Sequence, residues 1–572
     1  MKKKKLPVIL GAAALVIALA VGVFFLFNRP ADMTIVSESG DVFYRNDLLT
    51  VGADPDVLYI SEGEDAGYYY MYITSDDLHG AGFLAYKSRD LVEWTCAGVA
   101  LKSEGAYDEA TGYTTVSFAF SNYWAPEVIY DRETKLYYMF YTANRYDTKF
   151  ESATYFFGDI AVSASPAGPF VPYNKYYGND PVVVDEKQKI LTYEPVFDFS
   201  KMDPEHPLYE TATQGYMKVI DLNPFIDPKS GKKYMYFCHD LGKQQAISES
   251  SIYVMALHDD YTPDYTQVYA LTVANQKDLD SNPDITMNEG KVNEAPYILY
   301  NEQSGKYYLL YSANAYYQKT YCVRVAVGDS PIGPFRKLSR NEGGWLLYAD
   351  SHWSWASGTG HCSVVNRDGQ DFIVYHAHLD RVNGNSKRGI AMDEIHWVEN
   401  DKGLLVPVAN GPSAALMPLT TYLYENVASQ ATITADHLES GSAEAMVDGI
   451  ILHRDSRFLE DATFDGSSAT IQLKFDEPKT ICGIAVYNSA DYDYMFSNIK
   501  AIRLRLANGR VVFRNLDFDW DTYYTEDGYV IPGGSVAIEF EPMQVKAVEI
   551  VMANAGAPYA VSEIAVMAKR ED

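Results

Sequence analysis

Positive charge is scarce in this chain: 47 Lys and Arg stand against 77 Asp and Glu, a formal net charge of −30. Phosphate backbones are bound through Lys and Arg, so nucleic acid is excluded as a partner. Such acidity suits solubility outside a cell, and it also suits a site rich in carboxylates; composition alone does not choose. Cysteine is sparse as well. Cys96, Cys238, Cys322, Cys362 and Cys482 show neither metal-type spacing nor a dense disulfide pattern, and read as scattered structural thiols with room for one bridge. Helical periodicity is almost missing between about residues 40 and 415. One long apolar run is present. Leu6 to Phe27 follows Met1-Lys2-Lys3-Lys4-Lys5 and is about 22 residues long, close to the roughly 20 that span a bilayer. Lysines stay on the cytoplasmic side. A cleaved signal peptide has a shorter apolar core ending in a small-residue site, and Val23-Phe24-Phe25-Leu26-Phe27 offers none. The expectation is a transmembrane helix over 1–30 that tethers an extracellular chain to the cell membrane, with secretion as the alternative if the segment is cleaved.

Tyrosine is abundant, at 47 residues. Its ring packs well on pleated, half-buried strands, and its polar tip suits sugar sites. Through 40–415, short runs of Tyr, Phe, Val and Ile alternate with Gly, Asp, Asn and Pro turns, the pattern of many short antiparallel strands. Within it a unit recurs five times: an acidic or His residue opening an apolar strand, a polar turn, then a strand rich in Tyr. The openings are Ala53-Asp54-Pro55-Asp56, Ala125-Pro126-Glu127, Ile220-Asp221-Leu222-Asn223, Asn293-Glu294-Ala295-Pro296 and Gly360-His361-Cys362. A second echo joins Ser165-Pro166-Ala167-Gly168-Pro169-Phe170 to Ser330-Pro331-Ile332-Gly333-Pro334-Phe335. Units spaced by about 67 to 94 residues read as the four-stranded blades of a five-bladed β-propeller with long loops. The fold class is all-β. Inner strands of a propeller line one channel, so the opening Asp, Glu, Asp, Glu and His are expected to converge on one pocket. A single Asp of this kind would be an ordinary turn residue; five in phase are not.

These motifs, with Tyr123-Trp124 and Gly358-Thr359, resemble glycoside hydrolase family 43 and its relatives over roughly residues 45–415. The resemblance implies an inverting glycosidase acting on plant polysaccharide or oligosaccharide. It assigns Asp54 as general base, Glu294 as general acid and Asp221 as the residue that raises and orients the acid. It places His361 on the channel axis near a hydrated cation, commonly calcium, and Arg388 against the substrate. Trp124, Trp353 and Trp355 are candidate sugar-stacking platforms, each as readily a core residue. Glu127 is read as structural or at the rim. One departure is Leu222 directly after Asp221, where the family more often has Pro. No cofactor is implied for the chemistry.

The pattern changes around Pro418–Glu425. Ala469-Thr470-Ile471-Gln472-Leu473-Lys474-Phe475 alternates as a strand does. The expected domains are the 1–30 anchor, a propeller over 31–420 and a β-sandwich over 421–572. The last resembles the discoidin, or factor 5/8 type C, jelly roll used by many carbohydrate-binding modules. That resemblance implies a structural calcium near Glu563; the usual Trp after Val447-Asp448-Gly449 is replaced by Arg457-Phe458, and a plain spacer is the alternative. For the whole chain the leading expectation is an α-L-arabinofuranosidase or β-xylosidase. Endo-arabinanase and exo-galactanase are alternatives on the same fold, and a non-catalytic surface carbohydrate-binding protein is the alternative of another class.

Overall fold

The computed structural model describes residues 33–36, 39–74, 82–103, 105–116, 119–145, 156–209, 219–240, 250–272, 274, 289–348, 356–380, 383–384, 387–413, 415–451, 459–516 and 533–570, leaving out 46–50 within the second of these. They fall into two compact units, one within 46–413 and one made of 33–45, 415–451 and 459–570. Among the described residues no helix is long and apolar enough to cross a membrane. This corrects the fold class, which expected an N-terminal transmembrane helix: the described chain is strand-built, and the segment on which that helix was expected, 1–30, lies outside the described residues.

The first unit holds five antiparallel sheets, each built from consecutive strands. Their inner strands are Ala53–Tyr59, Ala119–Asp131, Val219–Ile226, Asn293–Asn301 and Gly360–Arg367. Each inner strand lies against the next, and the fifth against the first, so the sheets close as the blades of a five-bladed propeller. Polar turns set the first hairpins. In blades two, three and four, Lys135, Gly231 and Gly305 adopt left-handed backbone and donate to the carbonyls of Asp131, Asp227 and Asn301 at 2.7, 2.8 and 2.9 Å. The Asp and Asn side chains take further turn N–H groups, which is why these residues recur there.

The tyrosines of the second strands do more than fill the pleat. Tyr72 of blade one donates to Pro166 O of blade two at 2.6 Å, and Tyr236 of blade three donates to Pro331 O of blade four at 2.5 Å. Tyr308 of blade four reaches Leu405 O of blade five. A Tyr buries its ring between blades and satisfies its hydroxyl on the next one. Among the described residues the ring closes without a shared strand: Gly52 N donates to Arg388 O at 2.8 Å, joining blade one to blade five.

One sheet was not legible in the sequence. Gly105–Asp108, Tyr113–Val116, Val182–Asp185 and Ile190–Thr192 form a small four-stranded sheet from inter-blade loops, with a parallel pair between 190–192 and 114–116. Residues 105–108 are wholly exposed, so they carry no alternation to read.

The second unit is an all-β body in which ten strands are joined. Its long strands Thr470–Asn488 and Ser535–Met552 pair along most of their length, burying Ile471, Leu473, Ile484, Val486, Ile538, Val548 and Ile550 in its core. Residues 33–36, counted with the propeller from the sequence, belong here: Met33–Val36 pairs with 537–540, and Phe43–Tyr44 with Met417–Pro418. None of the five cysteines forms a disulfide, and four of them are buried.

Candidate active site

Every inner strand breaks its ladder at the same place. The register shifts fall between Ala53 and Asp56, Trp124 and Glu127, Ile220 and Asn223, Glu294 and Tyr297, and Gly360 and Ser363. At each bulge one residue takes left-handed backbone: Asp54, Ala125, Asp221, Ala295 and His361, with φ of 52, 48, 56, 51 and 44°. A bulge re-aims side chains and frees an N–H from the ladder. Side chains of the preceding blade take up those groups. Ala125 N donates to Thr74 Oγ1 at 2.8 Å, Ala295 N to Asp221 Oδ2 at 2.9 Å and His361 N to Ser312 Oγ at 2.8 Å. Asp54 N donates to His376 Nδ1 at 3.2 Å across the ring closure.

The bulges put the opening residues in layers. Asp54, Asp221 and His361 share the bulge position. Glu294 and Trp124 stand one residue before it. Asp56, Glu127 and Asn223 stand two residues after it. Asp54, Asp221, Glu294 and His361, named from the sequence, are therefore brought together at one channel, and their charges act on one another.

Asp54 is the most heavily partnered carboxylate. Its Oδ1 lies 3.1 Å from Arg388 Nη1, 3.2 Å from His361 Nδ1 and 3.3 Å from His376 Nδ1. Burial alone would raise its pKa, but Arg388 and the His361 imidazolium outweigh that and hold Asp54 well below the usual carboxylate range. Conversely, burial would discharge His361, but Asp54 first and then Asp221 push it up to about 9. His376 is different: burial, then Arg388, bring it down to about 3. Its Nδ1 faces both the Asp54 N–H and the Asp54 carboxylate.

Glu294 goes the opposite way from Asp54. Burial first, then the Asp221 charge, push it up to about 8, against hydrogen bonding from Tyr321 and attraction from His361. Asp221 is itself raised, mainly by burial. Asp221 grips the acid's own strand, since its Oδ2 takes the N–H of Ala295, next to Glu294. Deeper in the channel, Glu127 Oε2 accepts from Asn223 Nδ2 at 2.5 Å, and Asp56 Oδ2 accepts from Val128 N at 2.8 Å. Burial raises Asp56 to about 7, and burial with the Asp56 charge pushes Glu127 well above its ordinary range. Glu127 thus sits three residues out of phase with Glu294, in a hydrogen-bonded layer beneath it.

Trp124 is 36% exposed and stacks on Phe156 at 4.2 Å between ring centroids. Arg388 opens the third strand of blade five, with its guanidinium 4.9 Å from the centroid of the half-exposed Tyr316. Trp353 and Trp355 lie outside the described residues. Sequence reasoning missed His376, Tyr321 and Tyr316. The run Tyr375-His376-Ala377-His378 was the available signal for the first; nothing local marked the other two.

The family resemblance expects a hydrated cation near His361. His361 Nδ1 is committed to Asp54, and among the described residues no group of three or more His, Cys, Asp or Glu is arranged to hold a metal. At Glu563, Oε2 accepts from Gly449 N at 3.0 Å, and the same holds. Among the described residues neither place offers a set of His, Cys, Asp or Glu side chains for direct coordination, and no step below uses a metal.

A thermostable family-43 glycoside hydrolase of known structure is 27% identical, over 66% of this chain and 98% of its own, with a TM-score of 0.47. An endo-1,4-β-xylanase from Bacteroides thetaiotaomicron is 26% identical, over 63% and 95%, with a TM-score of 0.44. A β-xylosidase/α-arabinofuranosidase from a compost microbial metagenome is 21% identical, over 64% and 97%, with a TM-score of 0.42. Comparison with curated proteins gives no match. The family model for glycosyl hydrolases family 43 matches residues 44–189 and 203–402, well over half of the sequence and all five inner strands. The chain belongs to glycosyl hydrolase family 43 and is an enzyme acting on glycosidic bonds.

Proposed function

We propose that this enzyme is an inverting glycosidase that releases a terminal pentose from plant polysaccharide or oligosaccharide, as an α-L-arabinofuranosidase or a β-xylosidase. The observation that carries the reading is the opposed state of two carboxyl groups at one channel: Asp54 held ionised, Glu294 held protonated. In inversion the ionised carboxylate takes a proton from a water as that water attacks the anomeric carbon. The protonated carboxyl gives its proton to the departing oxygen. Inverting glycosidases in general hold two such groups about 6.5–9.5 Å apart, leaving room for the water. Asp54 is the base, Glu294 the acid, and Asp221 keeps the acid charged with its proton by like-charge repulsion.

Two further features support a sugar at this place. Arg388 Nε is buried with no protein acceptor among the described residues, a donor suited to a sugar hydroxyl. The Trp124 ring offers an apolar face to sugar C–H groups, with Phe156 behind it. The C-terminal unit is read in the same proposal as a discoidin-like carbohydrate-binding module, supported by its all-β build and the alternation of 469–475.

The test is a panel of nitrophenyl α-L-arabinofuranoside, nitrophenyl β-xyloside, debranched arabinan and galactan, with the first-formed anomer followed by proton NMR. Turnover of one of the two pentosides with inversion supports the reading. Turnover of arabinan or galactan alone moves it to the alternatives on this fold. Retention of configuration, or inactivity on all four, contradicts it.

A further inference from the structure

We infer that Tyr316 is a positioning residue for Arg388: from the loop 314–321 of blade four it holds the arginine's guanidinium in place against the carboxylate of Asp54. The inference rests on the assignment of Asp54 as general base.

The loop 314–321 joins the second strand of blade four, Lys306–Ala313, to the third, Cys322–Gly328. Its own bonds close it. Gln318 N donates to Ala315 O at 2.8 Å, Tyr321 N to Gln318 O at 3.0 Å and Asn314 Nδ2 to Thr320 O at 2.8 Å. The loop is also fastened to blade five. Gly358 N donates to Lys319 O at 3.0 Å, and His378 Nε2 lies 2.6 Å from Tyr316 O. A carbonyl only accepts, so Nε2 is the donor. The His378 ring is held in turn. Its Nδ1 lies 3.2 Å from Ser357 Oγ, and a Cβ at Gly358 would meet the ring at 2.1 Å, which accounts for glycine there.

Register makes a clamp of this attachment. His378 and Arg388 are directly opposite each other on adjacent strands of blade five, so their side chains leave the same face. The carbonyl of Tyr316 meets the first of the pair. Its ring meets the second, with the Arg388 guanidinium 4.9 Å from the ring centroid. From that position Arg388 Nη1 reaches Asp54 Oδ1 at 3.1 Å. An arginine has many rotamers to lose, and a fixed ring beside it removes most of them before substrate arrives. The negative ring face attracts the cation, and covering one face of the guanidinium keeps water from it. The Tyr316 ring is 40% exposed, so filling the core does not account for an aromatic there. The charged and titratable groups around Asp54 are Arg388, His361, His376, Asp221 and Glu294. Of these five, Arg388 is the one the Tyr316 ring packs on.

The experiment measures kcat/KM against pH on the glycoside that the panel selects. The proteins are wild type, Tyr316→Ala, Tyr316→Phe, Arg388→Ala, Asp54→Asn and the double variant Tyr316→Ala with Arg388→Ala. Tyr316 is half-exposed, so its variants are expected to fold, and circular dichroism checks this. Tyr316→Ala should lower kcat/KM by about 5- to 30-fold, in line with one partly desolvated cation–π contact. Its acidic limb should move to higher pH, in the direction of Arg388→Ala and by less. A looser Arg388 favours the ionised base less, so Asp54 takes up a proton sooner as pH falls. Tyr316→Phe keeps the ring face and should lose less than about 3-fold. In the Arg388→Ala background, Tyr316→Ala should add less than about 2-fold, because the group it acts through is gone. The full loss in that background, as a ring that binds sugar by itself gives, overturns the inference. So does an unmoved limb in Tyr316→Ala, as a merely structural role gives. If Asp54→Asn keeps its activity, or Arg388→Ala leaves the limb in place, the assignment of the base and its arginine falls, and the inference with it.

Discussion

At Asp54, one carboxylate oxygen meets a guanidinium and a charged imidazole within 3.2 Å. That surrounding keeps it ionised in acid, which a general base requires. Asp54→Asn and Glu294→Gln each remove one of the two proton transfers, and each should lower kcat by about 10³-fold or more, at the upper end of general acid–base effects. Steady-state kinetics on purified, folded variants checks this. Arg388→Ala removes the strongest cation acting on Asp54, so the base's pKa rises. The acidic limb of kcat/KM then moves to higher pH, as the base loses its charge sooner while pH falls; an unmoved limb contradicts the assigned role of Arg388. The residues that titrate were legible in the sequence because each opens a repeat. His376 was not, because its role comes from a tertiary neighbour: it serves Asp54 across 322 positions of chain. Arg388 was legible only through resemblance.

At the scale of the inner strand, the decisive feature is the bulge that all five share. In the sequence Glu127 and Glu294 each open a repeat beside Ala-Pro, and only the family resemblance reads Glu127 as structural or at the rim. A bulge leaves no mark in composition, so the string does not reveal that Glu294 precedes it by one residue and Glu127 follows it by two. Three residues of offset separate a channel-mouth acid from a buried acceptor for Asn223. The same geometry makes Asn223 a structural keystone, accepting from Ile298 N at 3.1 Å and donating to Glu127 at 2.5 Å. Asn223→Ala leaves a buried N–H and a buried carboxyl unpartnered. We expect the propeller to lose about 2–5 kcal/mol, summing two unmet partners. Urea denaturation followed by tryptophan fluorescence measures it, and a loss within about 0.5 kcal/mol contradicts the layered account.

For the whole molecule, the repeat count and the blade order were readable because each blade is made of consecutive strands. Three things were not. The small sheet of 105–192 is too short and too exposed to carry a period. The closure of the ring rests on the Gly52 to Arg388 backbone bond and on the Asp54 N–H donating to His376 Nδ1, groups from opposite ends of the propeller sequence. The pairing of Met33–Val36 with 537–540 joins segments about 500 residues apart, and four residues give no signal of their partner. This last feature carries a prediction. Met33 is 2% exposed in the core of the second unit. Replacing Met33 by Ala should lower that unit's stability by about 2–4 kcal/mol, as truncation of a buried Met does, and leave kcat unchanged. Calorimetry with parallel kinetics tests it; a fall in kcat without a fall in stability would contradict it.

The central claim is that Asp54 and Glu294 are held in opposite protonation states by named neighbours. Its most direct test is the pH dependence of kcat/KM for wild type and Asp221→Asn on the preferred glycoside. Glu294, pushed up to about 8, must keep its proton, so activity is lost as pH rises through that value. Removing the Asp221 charge lowers the acid's pKa, so the alkaline limb of Asp221→Asn moves to lower pH while kcat falls. An alkaline limb in the ordinary carboxylate range for wild type, or one that Asp221→Asn leaves in place, would contradict the account.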